Sequence, residues 1–281
     1  MKQRKHRSGE ILIFLLKILV AVFMFTPIVW ILSGSFKTLG EFTSSTHIIP
    51  REFTLVNYRY IFERSNVWIY LRNTVLLMTL TTLGTLISSS FVAYPLARMD
   101  FKGKNIIFGI IIATLMVPEI ALIIPKYIMF AEISWLDSLL PMIVPAFFTH
   151  PYNTFLFRQF FRTIPGELDE AAALDGCSKG QTFFLILAPL AKPIYATIGV
   201  LSMVSWWNEL TQPVFYINSD RWRTLTMATM TTYMYTSGNA FIQNWPSIMA
   251  ISTLMILPPM LLYMFGSSFF TEGIKTSGIK G

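Results

Sequence analysis

Four carboxylates cluster in the segment 165–178, which reads PGELDEAAALDGCS. Pro165 and Gly166 suit the start of a helix, and the acidic residues that follow, Glu167, Asp169 and Glu170, favour the positive end of its dipole. Gly176 is placed to end the helix, because glycine adopts the left-handed conformation at little cost. Four residues predict a small apolar face, flanked by Glu170 and Asp175: Leu168, Ala171, Ala172 and Leu174.

This helix could do one of two things. It is too short to be stable alone, and its apolar face is too small to anchor it in a membrane. A small-residue surface flanked by carboxylates suits insertion in a groove of another protein. The other interpretation is a surface helix packed on its own bundle. Helix chemistry alone leaves both interpretations open.

Catalytic motifs are absent from the sequence. No G-x-x-x-x-G-K-[ST] loop occurs, so binding of ATP in the P-loop manner is excluded for this chain. There is also no H-E-x-x-H pair for zinc and no G-x-S-x-G elbow. The histidines His6, His47 and His150 are scattered, and the single Cys177 excludes an internal disulfide. We therefore predict a protein that is not an enzyme and that holds no cofactor or metal of its own.

The remaining candidates are polar residues in or near apolar runs, because ionisable groups at membrane depth are costly and usually face a cavity or a partner. Glu119 follows Pro118; it would either line a cavity or be solvated near the interface. Asn208 and Glu209 end an apolar run and could contact a solute or cap a helix. Lys17 lies inside the first run and is expected to snorkel or to pair.

Composition explains why these runs matter. Of 281 residues, 53% are hydrophobic and 13% are charged, and the mean hydropathy is +0.55; soluble domains carry about 25% charged residues. Six runs are long enough for helical membrane spans: Ile11–Leu32, Leu71–Leu96, Ile106–Tyr127, Leu139–Phe160, Phe183–Trp207 and Ile248–Phe270. The fold class is an all-α membrane protein with six transmembrane helices.

Lysine and arginine in the short segments between the runs set the orientation. They place both termini in the cytoplasm, giving a cytoplasmic N-terminus (1–10), a six-span domain (11–270) with a cytoplasmic loop (162–182), and a cytoplasmic tail (271–281). The net charge of +7 follows this pattern, which does not favour nucleic-acid binding. Aromatic residues in the external segments are either membrane anchors or a surface for a partner.

The sequence also resembles a known protein family. Glu170, Ala171, Ala172, Gly176 and the downstream Pro189 match the EAA loop of membrane permease subunits of ATP-binding-cassette (ABC) importers, the type I or MetI-like bundle. Further stretches resemble the carbohydrate branch and the shorter permease subunit of maltose-type systems: 73–74, 93–98, 116–118, 124–125, 155–161, 207–209 and 273–281. The sequence departs from the family pattern at Ala188, where leucine is usual, and at Cys177.

The resemblance implies a set of partners and roles. The loop residues Glu167, Glu170, Ala171, Ala172, Asp175 and Gly176 would dock on a separate ATPase, which would bind ATP and Mg²⁺. The assembly would hold two ATPase subunits, a second homologous permease and an extracytoplasmic solute-binding protein, in a bacterial or archaeal inner membrane. Glu119, Asn208 and Glu209 would lie on the solute pathway. The segment 208–247 would reach the binding protein, through Arg221, Trp222, Tyr233 and Tyr235.

The implied cargo is a sugar or oligosaccharide. Phosphorylated glycerol compounds or peptides are alternatives within the same superfamily. A secondary transporter driven by an ion gradient usually shows paired intramembrane carboxylates or inverted repeats, and neither is found here. A structural scaffold would not need the EAA-like loop.

Overall fold

The computed structural model describes the backbone of residues 2–64, 66–234 and 244–277. All regular elements in these ranges are helices, which confirms the all-α prediction. In chain order they are α1 (Lys2–Ser35), α2 (Leu39–Ser44), α3 (Val56–Arg64), α4 (Val67–Arg98), α5 (Lys104–Thr114), α6 (Ile123–Glu132), α7 (Leu140–Ile143), α8 (Pro151–Thr163), α9 (Glu167–Leu174), α10 (Lys179–Gln181), α11 (Ala188–Leu190), α12 (Lys192–Trp207), α13 (Thr211–Tyr216), α14 (Leu225–Ala228) and α15 (Trp245–Ser277). Short 3-10 segments cover Glu119–Leu122, Val144–Phe148 and Asp220–Trp222; π-helical segments cover Thr182–Leu187 and Thr229–Met234.

Three of these helices are long and apolar enough to cross a membrane, over Glu10–Ser35, Val67–Arg98 and Trp245–Gly266. Two bent pairs raise the number to five if each pair is one span: Lys104–Thr114 with Glu119–Glu132, bent by 90°, and Lys179–Leu190 with Lys192–Trp207, bent by 74°. The structure thus supports several membrane spans. The count of six and the cytoplasmic termini stay predictions.

Proline accounts for both bends, because it lacks the N–H that an α-helix needs and clashes with the preceding turn. Pro118 directly precedes the 3-10 segment that follows the first bend. At the second bend, Pro193 is the second residue of α12, and Ala191 ends α11 outside helical geometry.

The predicted fourth span is interrupted near its middle. The chain leaves helical geometry at Thr149, whose φ is 97°, between the 3-10 segment and α8. Two serines of α4 pair with backbone groups near this break: Ser88 donates to the carbonyl of Ala146 at 3.0 Å, and the N–H of His150 donates to Ser89 at 3.2 Å. Unpaired backbone groups at membrane depth are costly. These hydrogen bonds therefore help the bundle to tolerate the break.

The chain divides into two compact units, Met1–Val67 with Ala228–Leu257, and Trp68–Met227 with Pro258–Gly281. In the first unit Asn57 is buried and donates to the carbonyls of Ser35 and Lys37 at 2.9 and 2.8 Å. It also accepts a hydrogen bond from Ser247 at 3.4 Å. These contacts tie the segment after α1 to the start of α15. The apolar side chains of α1, by contrast, are largely exposed.

The second unit contains an aromatic core that supports α9. Phe157 and Phe161 of α8, Phe183 of the π-helical segment and Tyr94 of α4 are buried together. Leu168 of α9 packs against this cluster. The core therefore fixes the position of the carboxylate-rich helix that the sequence singled out.

Candidate functional site

The helix α9 begins and ends close to the predicted residues. Its first turn contains all three predicted acidic residues, and Gly176 has a φ of +79°. The N–H of Cys177 donates to the carbonyl of Ala172 at 2.9 Å, and the N–H of Gly176 donates to Ala173 at 3.1 Å. This pair of bonds is the Schellman motif, which satisfies carbonyls that the end of the helix leaves free. Gly176 therefore sets where α9 ends.

The predicted apolar face of α9 is divided in the structure. Ala172 is 2% exposed and Leu168 packs on the aromatic core, whereas Leu174 is 90% exposed and Ala171 is also exposed. Successive helical residues are separated by about 100°, so Ala171 and Leu174 turn progressively away from Leu168. The single four-residue face was wrong for this reason.

What α9 presents to solvent is a second stripe, which we call the outward face. It consists of Glu167, Glu170, Ala171 and Leu174, all exposed and spaced by three or four residues. Asp175 and Gly176 are also exposed, and Ala172 is not. One side of α9 therefore packs on its own bundle and the other side is exposed, while insertion in a groove of another protein stays a prediction. The spacing 167, 170, 171, 174 places these residues on one side of the helix, but it does not show that this side points away from the core.

The segment after α9 is held by its own cap. Ser178 accepts from the N–H of Gln181 at 3.3 Å, and the Gln181 side chain accepts from the N–H of Ser178 at 2.8 Å. This reciprocal pair is a capping box, which fixes the direction in which α10 begins. The loop is therefore structured on both sides of Gly176.

Two of the three predicted pathway residues share a partner. Glu119 accepts from the amide side chain of Gln212 at 3.2 Å and forms an ion pair with Lys126 at 3.6 Å. Glu209 accepts from the backbone N–H of Gln212 at 2.9 Å. Asn208 instead donates to the carbonyl of Val204 at 2.8 Å, so it bonds to its own helix. Glu119 and Glu209 thus meet at Gln212, which the sequence did not single out.

The segment 216–225, which contains Arg221 and Trp222, is fastened to one end of α4. Asn73 donates to the carbonyls of Arg221 and Arg223 at 2.9 Å each, and Tyr70 donates to Asp220 at 2.7 Å. Arg221 is exposed, and its guanidinium lies 5.1 Å from the ring centre of Trp222. The side chain of Tyr233 and the whole of Tyr235 lie outside the described residues.

Asp137 supports the same segment from the turn between α6 and α7. It accepts from the backbone N–H groups of Ser219 and Asn218 at 2.7 and 3.0 Å. The hydrogen bond from Ser219 is the largest cause of a pKa below the ordinary value for Asp137, and partial burial opposes it. Its φ of 55° is one that aspartate and asparagine tolerate better than most residues.

This arrangement predicts a pH-dependent contribution to stability. Because the folded pKa is lowered, the contribution is complete above the ordinary aspartate pKa of about 3.9 and is lost as pH falls through the folded pKa. Asp137→Asn is expected to cost about 1 kcal/mol at pH 7, the difference between charged and neutral hydrogen bonds, and less at pH 3. Thermal unfolding in detergent at the two pH values measures this. Asp100→Asn, at an exposed ion pair with Lys104, is the control; an equal loss for Asp137→Asn at both pH values would contradict the prediction.

Among the described residues, no three His, Cys, Asp or Glu side chains are grouped as a metal site. The carboxylates of α9 have different surroundings: Asp169 forms an ion pair with Arg98, whereas Glu167 and Glu170 face solvent.

Comparison with known proteins decides the family. Residues 84–275, which include α9 and the segment 216–225, match the model of the binding-protein-dependent transport system inner membrane component. The chain belongs to this family. It is a transmembrane permease subunit of an ABC importer, a transport subunit and not an enzyme.

Relatives match the permease over its whole length. It is 30% identical over 280 residues to the arabinooligosaccharides transport system permease protein AraQ of Bacillus subtilis (strain 168), covering 98% of this chain and 96% of AraQ. It is also 30% identical over 283 residues to the melibiose/raffinose/stachyose import permease protein MelC of the same organism, covering 100% of both chains.

A solved structure supports the fold. A chain from the crystal structure of a bacterial ABC transporter involved in the import of the acidic polysaccharide alginate superposes with a TM-score of 0.86. The match covers 95% of the permease and 98% of that chain at 23% identity. The chain therefore shares its overall fold with a chain of that transporter.

Proposed function

We propose that this permease translocates a sugar or oligosaccharide, delivered by an extracytoplasmic solute-binding protein and driven by a separate ATPase. The observation that carries the ATP-driven part is the outward face of α9, a free surface in a loop that positive charge assigns to the cytoplasm. The relatives named for arabinooligosaccharides and for melibiose, raffinose and stachyose support the cargo.

The outward face would lie in a cleft of the ATPase. Leu174 would supply the apolar contact, Glu167 and Glu170 would meet cationic groups of the partner, and Ala171 would permit close approach. Ala172 and Gly176 would support this surface without being part of it. Ala172 packs against the bundle, and Gly176 ends the helix. Since the sequence contains no phosphate loop, ATP and Mg²⁺ would be held by two ATPase subunits.

Transport would follow from a shift between inward-open and outward-open states. A partner changes such an equilibrium only by binding one state better than the other. When ATP is bound, the ATPase subunits would hold two EAA loops in the positions that they have in one of these states. One loop belongs to this permease and the other to a second homologous permease. The cavity between the permeases would then open to the binding protein on the outside of the inner membrane.

We propose that the cluster of Glu119, Glu209 and Gln212 lines part of the solute pathway. Sugars present hydroxyl groups that both donate and accept hydrogen bonds, and Glu119, Glu209 and Gln212 offer acceptors and an amide donor. Glu119 is well exposed, with 68% of its side chain accessible, so its carboxylate can reach a solute. Asn208 would act from its helix cap. Arg221 and Trp222, with Tyr233 and Tyr235, would form the contact with the binding protein.

The cargo can be tested on the binding protein that is encoded with this permease. We expect arabinan- or galactoside-derived oligosaccharides to raise its melting temperature by several degrees, because a ligand that binds only the folded state stabilises it by mass action. Glycerol 3-phosphate and a tripeptide are the comparison ligands. Stabilisation by one of these two, with no response to any sugar, would overturn the carbohydrate proposal.

A further inference from the structure

We propose that Arg98 and Tyr94 are positioning residues for coupling, which make α9 and the end of α4 move as one body. This inference rests on the proposed docking of the outward face on an ATPase. Both residues lie at the end of α4 that the basic residues assign to the cytoplasm. Together with their partners Ile164, Asp169 and Lys179, they form what we call the α4 anchor.

Arg98 binds the beginning of the loop. Its guanidinium forms an ion pair with Asp169 at 3.3 Å, and the two side chains are only 10% and 19% exposed. It also donates to the carbonyl of Ile164, where α8 ends. A guanidinium can serve both partners at once because its donors lie in a rigid fork. Removing either charge leaves the other partly buried without its ion pair, which is costlier than losing an exposed pair.

Tyr94 binds the end of the loop. Its hydroxyl donates to the carbonyl of Lys179 at 3.1 Å, one turn of α4 before Arg98. The ring is buried in the aromatic core, 5.1 Å from Phe183. The same helix end therefore holds the loop before α9 and after it, with Gly176 between the two attachments.

A second arginine fastens the neighbouring helices to this turn of α4. Arg158 of α8 is 8% exposed and donates to the carbonyl of Leu96 at 3.1 Å. Its guanidinium also lies 3.8 Å from the ring centre of Phe108 in α5. The end of α4 is thus joined to α8, and through Arg158 to α5.

The α4 anchor is the second of two connections from α9 to the membrane spans. Along the chain, α9 leads through a π-helical segment to the 74° bend before α12. The α4 anchor instead leads directly to a single helix of 32 residues, in which Pro95 lies between Tyr94 and Arg98. None of the four residues of the outward face takes part in the anchor. A push on the outward face would therefore reach α4 without passing through the 74° bend.

The test is hydrogen exchange of the assembled complex in lipid nanodiscs, with ADP and then with ATP and vanadate. Two regions are followed, the loop 165–181 and the end of α4 at 93–98. Asp169→Asn and Arg98→Gln break the ion pair, and Asp169→Glu preserves it. Arg162→Gln removes an exposed charge of the same sign at the end of α8 and is the matched control. If Arg98→Gln does not assemble, Asp169→Asn carries the test.

In the unmodified complex, ATP and vanadate should change exchange in both regions. In Asp169→Asn and Arg98→Gln the change at 165–181 should remain while the change at 93–98 is lost, and Asp169→Glu and Arg162→Gln should behave as the unmodified complex. A response of both regions in Asp169→Asn overturns the role of the α4 anchor. A response of neither region in the unmodified complex overturns the docking proposal itself.

Discussion

Replacing Leu174 with aspartate is expected to weaken binding of the ATPase to the permease pair by at least about 100-fold. A leucine that is 90% exposed in the free permease contributes about 1.5–3 kcal/mol when a partner buries it. An unpaired carboxylate in the same cleft adds a desolvation cost of its own. Since about 1.4 kcal/mol is a tenfold change in affinity, the two effects together exceed two decades. The change in Kd is measured by binding of the purified ATPase to the permease pair in nanodiscs held on a sensor surface.

The control for this experiment is Leu174→Met. Methionine keeps an apolar side chain of similar volume, and such exchanges usually cost less than about 1.5 kcal/mol. Both variants change a residue with no packing role in the permease, so both should assemble with the second permease normally. Equal affinities for the aspartate and the methionine variants would show that Leu174 does not enter the cleft.

Replacing Gly176 with proline is expected to abolish ATPase stimulation in the assembled complex. Proline fixes φ near −65°, whereas this position has a φ of +79°. It also removes the N–H that bonds to the carbonyl of Ala173. The chain could then no longer turn back at the end of α9, and the outward face would lose its orientation. The readout is ATP hydrolysis in proteoliposomes with and without the loaded binding protein.

Two alanine variants separate backbone strain from lack of space. A Cβ would meet nothing within 4 Å at either Gly176 or Gly180, and only Gly176 has a positive φ. A left-handed conformation costs an ordinary residue about 1–2 kcal/mol, so Gly176→Ala should reduce stimulation and Gly180→Ala should leave it unchanged. Full stimulation in the Gly176→Pro variant would mean that the shape of this loop is irrelevant to coupling.

The limits of α9 could be predicted from the sequence because they depend on local chemistry. Pro165, Gly166 and the acidic first turn mark its start, and Gly176 marks its end. Which residues face outward could not be predicted, because that depends on where the aromatic core lies relative to the helix. Leu168 and Ala172 meet the core, and Leu174 does not.

Longer-range contacts were also beyond the sequence. Arg98 and Asp169 are 71 residues apart, and Tyr94 and Lys179 are 85 residues apart; no local pattern predicts such pairs. The interruption at Thr149 was hidden because the run Leu139–Phe160 is apolar enough for a continuous span. Some backbone groups near this interruption form hydrogen bonds with Ser88 and Ser89, which lie on another helix. Hydropathy indicates whether a segment lies in lipid or in water. It does not identify the side chains of other helices that allow the segment to be interrupted.

Uptake of a labelled oligosaccharide into proteoliposomes tests whether this permease takes part in ATP-driven sugar import. The vesicles would hold the two permeases and the ATPase, with the binding protein and the sugar that stabilises it added on the opposite side from ATP. We expect accumulation that requires both ATP and the binding protein and that is lost in the Leu174→Asp variant. Accumulation without ATP, driven by a proton or sodium gradient alone, would contradict it.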